Sequence, residues 1–371
     1  MSTTRKKYDV STPEASALIN EIMHGTFLKE GTIVAFPTCF PGASVPIPAD
    51  ESHITALDTT PDGAIYGGAG GRLVHLFSAK FHGVTGAVFD MGTVEGATDC
   101  PAVCCGKTKV IACVNGPRGG RVIAAPLMSW TCDLIQEWGF SRTPFQHLGE
   151  PVPGEPILHA VVNAAREVAV GITPSHLFTV DIEASKVETI AKIAGSGRIA
   201  LASAESIVGM DPPDCLWRYD VPSRRLERNA VKLPSGLWEP APLTWAKDAQ
   251  TGLLYTADAE GRLFSFSEQQ GFSPPLAQVS LTPVGPMAVT FDGRLFGFCG
   301  DGIANMFCYN PHTANLANLG VAVSLLERRR YGYTFADAVT GRDGQIIFGE
   351  NDNLGHLWLY FPKIQPRHPS P

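Results

Sequence analysis

The sequence predicts an all-β fold of seven four-stranded antiparallel units joined into a closed ring. Three observations carry this reading. First, an aliphatic–aromatic dipeptide recurs at Leu76-Phe77, Leu177-Phe178, Leu216-Trp217, Leu263-Phe264, Met306-Phe307 and Leu357-Trp358, with a degenerate copy at Val122-Ile123. Its aliphatic positions, 76, 122, 177, 216, 263, 306 and 357, are spaced by 46, 55, 39, 47, 43 and 51 residues, a period that accommodates four short strands and their turns. Second, 38 glycines and 29 prolines in 371 residues suit many short strands better than long helices. Third, the last unit lacks a fourth strand while a lone β-rich run, 32–36, stands near the N-terminus, and pairing the two closes the ring and removes exposed edges.

In chain order, Ser11-Thr12-Pro13-Glu14 reads as a helix N-cap, a first-turn proline and a capping-box glutamate. Ala15, Leu18, Ile19, Ile22 and Met23 follow at helical spacing, which predicts a helix over 12–23. The repeat runs from His53. Turns into the second strands carry Asp62-Gly63, Thr251-Gly252, Asp292-Gly293 and Asp343-Gly344, pairs suited to the positive φ of tight hairpins. Fourth strands are predicted at 87–94, 145–152, 187–193, 227–233, 276–281 and 316–323. The second unit carries an insertion around 130–142, and the fourth is short around 199–208. The organisation expected is an N-terminal extension with a helix (1–31), the ring (32–362, with strand 32–36 in its last unit) and a proline-rich tail (363–371).

Over nearly the whole chain this pattern resembles the seven-bladed β-propeller superfamily. It lacks the Gly-His and Trp-Asp signature of WD40 repeats and the paired glycines of kelch repeats. The resemblance is to an architecture, which by itself leaves activity open.

Composition narrows the partners. The net charge of −7 and pI near 5.8 argue against a general nucleic-acid or anionic-membrane binder. No run approaches the ~18 apolar residues of a membrane span. Met1–Tyr8 is polar and basic with no apolar stretch behind it, unlike a secretory signal. Nine cysteines, an odd number, sit mostly in apolar runs and read as reduced core residues of a cytoplasmic protein. The cluster Cys100, Cys104, Cys105 lacks zinc-site spacing.

In propellers the innermost strands start at one end of an axial channel, and the loops between second and third strands open on that end. Polar groups from several blades converge there. Placed on that frame, His53 and His159 stand at the starts of innermost strands and read as acid–base candidates. Tyr331 and Tyr333 flank Gly332, so both face one side of a strand; beside Arg328, Arg329 and Arg330 they suggest a proton-transferring phenol at an anion site, or a solvated basic turn. Arg330, Arg118, Glu350 and Asn351 are the candidates for holding substrate. His176, His356 and Asp352 are the candidates for a divalent metal, with manganese, calcium or zinc as the cofactor they would hold. Against this stands a plainer reading. His75, His176 and His356 all precede the aliphatic–aromatic pair, where other units carry Arg121, Cys215, Arg262 and Asn305, so the position is also that of a polar rim residue capping a neighbouring loop.

Site composition is similar to that of propeller-type polysaccharide and oligogalacturonate lyases. That similarity implies an enzyme for a small acidic carbohydrate or related carboxylate. Arginine would bind the carboxylate and His and Tyr would carry β-elimination, with or without a metal. The alternatives are a lactone hydrolase and a non-catalytic scaffold that binds a protein or peptide, for which Trp130, Trp138 and Trp238 are the expected surface aromatics. Convergence of His53, His159, His176 and His356 beside Arg330 and Tyr333 would favour the enzyme.

Overall fold

A computed structural model describes residues 12–14, 16–17, 31–37, 47–82, 85–128, 130, 145–238, 243–324 and 330–363. The predicted turn glycines all take the left-handed backbone: φ is 87° at Gly63, 77° at Gly252, 84° at Gly293 and 79° at Gly344. These turns fold the chain into antiparallel sheets, each running from an innermost strand outward. Blade 1 comprises His53–Thr59, Ile65–Gly70, Val74–His82 and Thr85–Val94. The innermost strands of blades 2 to 7 are Asp99–Cys105, His159–Val162, Ala200–Leu201, Ala246–Lys247, Val284–Val289 and Phe335–Thr340.

Closure occurs as the sequence predicts. Gly31–Pro37 forms the outer strand of blade 7 and pairs with His356–Pro362 in register from Gly31↔Pro362 to Pro37↔His356. Two local departures are seen. The fourth strand of blade 5 is split into Gly271–Phe272 and Ala277–Gln278, both pairing with Arg262–Ser267. Blade 6 gains a fifth strand, Arg330–Gly332, on the edge of Asn315–Ser324. Of the predicted N-terminal helix, Pro13, Glu14, Ser16 and Ala17 are helical, and Ser16 N–H donates to Thr12 O at 2.9 Å; the remainder lies outside the described residues, as does 131–144 of the insertion in blade 2.

Seven apolar clusters fill the seven gaps between blades, and they explain the recurrent dipeptide. Its two side chains point to opposite sheet faces, so each pair plugs two gaps. In blade 3, Phe178 packs back toward blade 2 and Leu177 forward toward blade 4. In blade 4, Trp217 packs back and Leu216 forward. At the seam, Trp358 faces blade 6 while Leu357 faces blade 1. The degenerate pair behaves alike, Ile123 packing back and Val122 forward. Glycine on the neighbouring strand makes room for the ring: a Cβ at Gly67, Gly171 or Gly209 would lie 2.2 Å from Phe77, Phe178 or Trp217. The pair also marks a β-bulge against the fourth strand in blades 1, 2, 3, 4 and 6, which increases local twist. Among the described residues no helix is long and apolar enough to cross a membrane.

Candidate functional site

Innermost strands begin, and second-to-third-strand turns open, on one face of the ring. Of the sequence-predicted residues on that face, His53 meets the loop 350–356 that carries Glu350, Asn351, Asp352 and His356, whereas His176 is held by its own partners in blade 3. His53, the first residue of its strand, donates from Nε2 to Asn353 Oδ1 at 2.9 Å. His176 bonds through Nδ1 to Ser175, whose hydroxyl donates to Glu155. His356 is sealed, 1% exposed, and its Nδ1 lies 3.2 Å from Glu350 Oε2.

Glu350 corrects an expectation. Its carboxylate is fully buried and receives the His356 backbone N–H at 3.0 Å and the Trp358 indole N–H at 3.2 Å. It therefore organises its own loop and does not face a substrate. Asn351 is likewise tied down: its N–H donates to Thr334 O, and its carbonyl accepts the Thr334 hydroxyl, both at 2.8 Å. Leu354 N–H reaches Ala49 O and Gly355 N–H reaches Ser52 Oγ, so the loop 350–356 stitches blade 7 to the lead into blade 1. Asp352 is half-buried in the same loop. Among the described residues no group of three or more His, Cys, Asp or Glu side chains is placed to hold a metal ion. His176, His356 and Asp352 accordingly do not assemble as the expected metal centre.

The rim reading of the position before the dipeptide accounts for its chemistry. Arg121 reaches Glu95 O, Arg262 binds Asp258, and Asn305 donates to Ile303 O. His75, 4% exposed, lies between Glu51 (Nε2, 2.7 Å) and Asp90 (Nδ1, 3.1 Å). Burial alone would lower its pKa, but the hydrogen bonds and charges of Asp90 and then Glu51 outweigh that and raise it. Arg118 is exposed at a turn tip in blade 2. Arg330 lies in the added strand of blade 6, and its side chain is outside the described residues.

Tyr331 and Tyr333 do share one side of the chain, with ring centroids 6.4 Å apart and planes within 11°. They are 46% and 45% exposed. Tyr333 O accepts the Ala304 N–H, which joins them to the blade 6 turn bearing exposed Ile303. Thr334 O joins them to the loop bearing exposed Leu354. The expected surface tryptophans differ. Trp238 is buried against Phe264 and Phe272, Trp130 packs on the core between blades 1 and 2 and donates to Ser78 Oγ, and Trp138 lies outside the described residues.

Of the predicted histidines only His159 lines the axial cavity, which has a volume of about 240 Å³. Its Nδ1 accepts the Ile199 N–H at 3.3 Å, and burial, with the adjacent Arg198 cation, pushes its pKa well below the ordinary value. Around it stand Arg198, at the entry to the innermost strand of blade 4, and groups the sequence reading missed. Arg198 Nη1 binds Asp337 Oδ1 at 2.5 Å, and Asp337 Oδ2 also takes the Leu57 N–H at 2.7 Å. Asp58 takes the Cys105 N–H at 2.7 Å and Arg166 Nη1 at 3.3 Å; burial nevertheless raises its pKa. Lys247 Nζ donates to Leu201 O at 2.9 Å, and burial lowers its pKa. The available signal was a charged residue within each of several innermost strands, at Asp58, Lys247 and Asp337.

No family model and no curated protein matches the chain. Among solved structures it is similar to the WD40 β-propeller domain of Doa1, at a TM-score of 0.60 and 10% identity, covering 89% of this chain and 97% of that one. The chain is a seven-bladed β-propeller. It is also similar to the extracellular domain of a candidate one-component system from B. thetaiotaomicron, at a TM-score of 0.55 and 13% identity, over 87% of this chain and 39% of that one. At such identities the likeness is one of fold.

Proposed function

We propose that this propeller is a non-catalytic interaction platform that seats an extended, proline-containing segment of a protein partner on the face where its innermost strands begin. The observation that carries the reading is where apolar surface is left exposed. Of six exposed large hydrophobic residues among the described ones, Leu237, Ile303, Tyr331, Tyr333 and Leu354 belong to turns and links of that face; Phe291 is on the other. Ile303, Tyr331, Tyr333 and Leu354 are tied together by the backbone bonds from Ala304 to Tyr333 and from Asn351 to Thr334. Parallel, half-exposed tyrosine rings suit the pyrrolidine rings of a polyproline-type segment, whose low conformational entropy favours docking on aromatic surfaces.

The lyase and lactone-hydrolase readings need an acid and a base at one point. His53 is bound to Asn353 and His159 to Ile199, and among the described residues neither is hydrogen-bonded to Tyr331 or Tyr333, which supports the platform over either enzyme. The test is fluorescence-polarisation binding of a proline-rich peptide library to the wild type and to Tyr331→Ala/Tyr333→Ala. Selected peptides should lose at least ~2 kcal/mol, about 30-fold, in the double variant. Equal binding by both proteins would refute the platform. Release of an unsaturated uronate from acidic oligosaccharides would restore the lyase reading.

A further inference from the structure

The axial cavity carries charge that the platform reading does not use. Two of its acids are matched: Asp337 by Arg198 and Asp58 by Arg166. Lys247 is not. Its ammonium has one hydrogen bond, to the Leu201 carbonyl, and no carboxylate among the described residues pairs with it within 4.0 Å. An ammonium has three donors, so two remain. His159 adds a neutral donor: because Nδ1 accepts the Ile199 N–H, the ring proton sits on Nε2, which has no partner among the described residues. The wall combines apolar Val161, Leu254 and Val339 with the arginine-paired acids Asp58 and Asp337. Trp245 is fixed at the edge by its indole N–H to Arg198 O at 3.1 Å. A partly dehydrated cation with donors to spare, in a cavity whose wall is part apolar, is complementary to a carboxylate on an apolar body.

We propose that the axial cavity binds a small organic monocarboxylate, with Lys247 Nζ holding the carboxylate and the apolar part of the wall and Trp245 holding the rest. Size sets the class. A volume of about 240 Å³ lies below the ~300 Å³ where drug-sized pockets start. Short-chain aliphatic acids and single-ring aromatic acids fit; oligosaccharides do not.

The experiment is calorimetric titration of the full chain with butyrate and benzoate, with benzamide and sodium chloride as controls. One of the two carboxylates is expected to bind saturably, and at least about tenfold more tightly than benzamide or chloride, because hydrogen bonds to a charged group are the stronger kind. Lys247→Met, which keeps the stem and removes the charge, should weaken that carboxylate at least about tenfold and leave benzamide unchanged. If Lys247→Met does not fold, the carboxylate–amide comparison on the wild type decides alone. Neither carboxylate binding better than chloride, or Lys247→Met binding as the wild type does, overturns the proposal.

Discussion

His75 couples the stability of blade 1 to pH in a direction that can be worked out. It is sealed between two carboxylates, with side-chain exposures of 5% for His75, 2% for Glu51 and 9% for Asp90. With an acid at each ring nitrogen, the folded state favours the doubly protonated ring and its pKa is raised above the ordinary 6.5. A group whose folded pKa is raised contributes stability in full below its unfolded value and loses it as pH climbs through the folded value. The wild type should therefore lose stability from about pH 6.5 upward. Replacement by leucine removes the cation and leaves two buried acids facing an apolar side chain. Removing one partner of a buried pair costs about 3–5 kcal/mol, and Arg72, which still binds Glu51, sets the lower end. With an unfolding entropy of about 0.8 kcal/mol/K for a chain of this length, ~3 kcal/mol lowers Tm by about 4 °C. The assay is thermal unfolding of wild type and His75→Leu from pH 5.5 to 8.5. The variant should be less stable at pH 5.5, and the gap should narrow at high pH. A gap that stays constant or widens with pH refutes the reasoning.

Two further outcomes follow from the packing. Gly67→Ala drives a Cβ into the Phe77 ring at 2.2 Å and should cost about 1–3 kcal/mol by overpacking; adding Phe77→Leu should recover part of it, measured as a double-mutant cycle in denaturant. Removing residues 1–37 strips the outer edge of His356–Pro362 of its seven paired residues, so the truncated chain should unfold at lower temperature and elute as larger species in size-exclusion chromatography.

The fold was legible because one dipeptide performs the same task in every blade. An aliphatic residue facing one gap and an aromatic facing the other cannot drift in phase without unpacking both, and the glycines opposite the rings keep time with them. Closure was legible for a related reason: one strand was surplus and one was missing. The site was not. Glu350 and His356 look in sequence like loop ligands, and only the position of the Trp358 indole reveals a buried carboxylate serving its own hairpin. Trp238 sits in a link and reads as exposed, yet the gap beside Phe264 takes it in. Lys247 stands in a two-residue strand, too short to show an alternation that would point it at the axis. What decides these positions is contact between residues far apart in the chain, which periodicity does not encode.

The seam in blade 7 also sets a timetable for synthesis. The outer strand is made first, and its partner, His356–Pro362, about 320 residues later. At 5–20 residues per second this interval lasts roughly 15 to 65 s. Throughout it Ile33, Val34 and Ala35, all buried in the finished ring, have no sheet to join. Lys29 and Glu30 immediately precede the strand, charges of the kind that keep a waiting apolar strand from pairing with another chain. Six blades can form as the chain emerges, whereas the seventh waits for His356–Pro362.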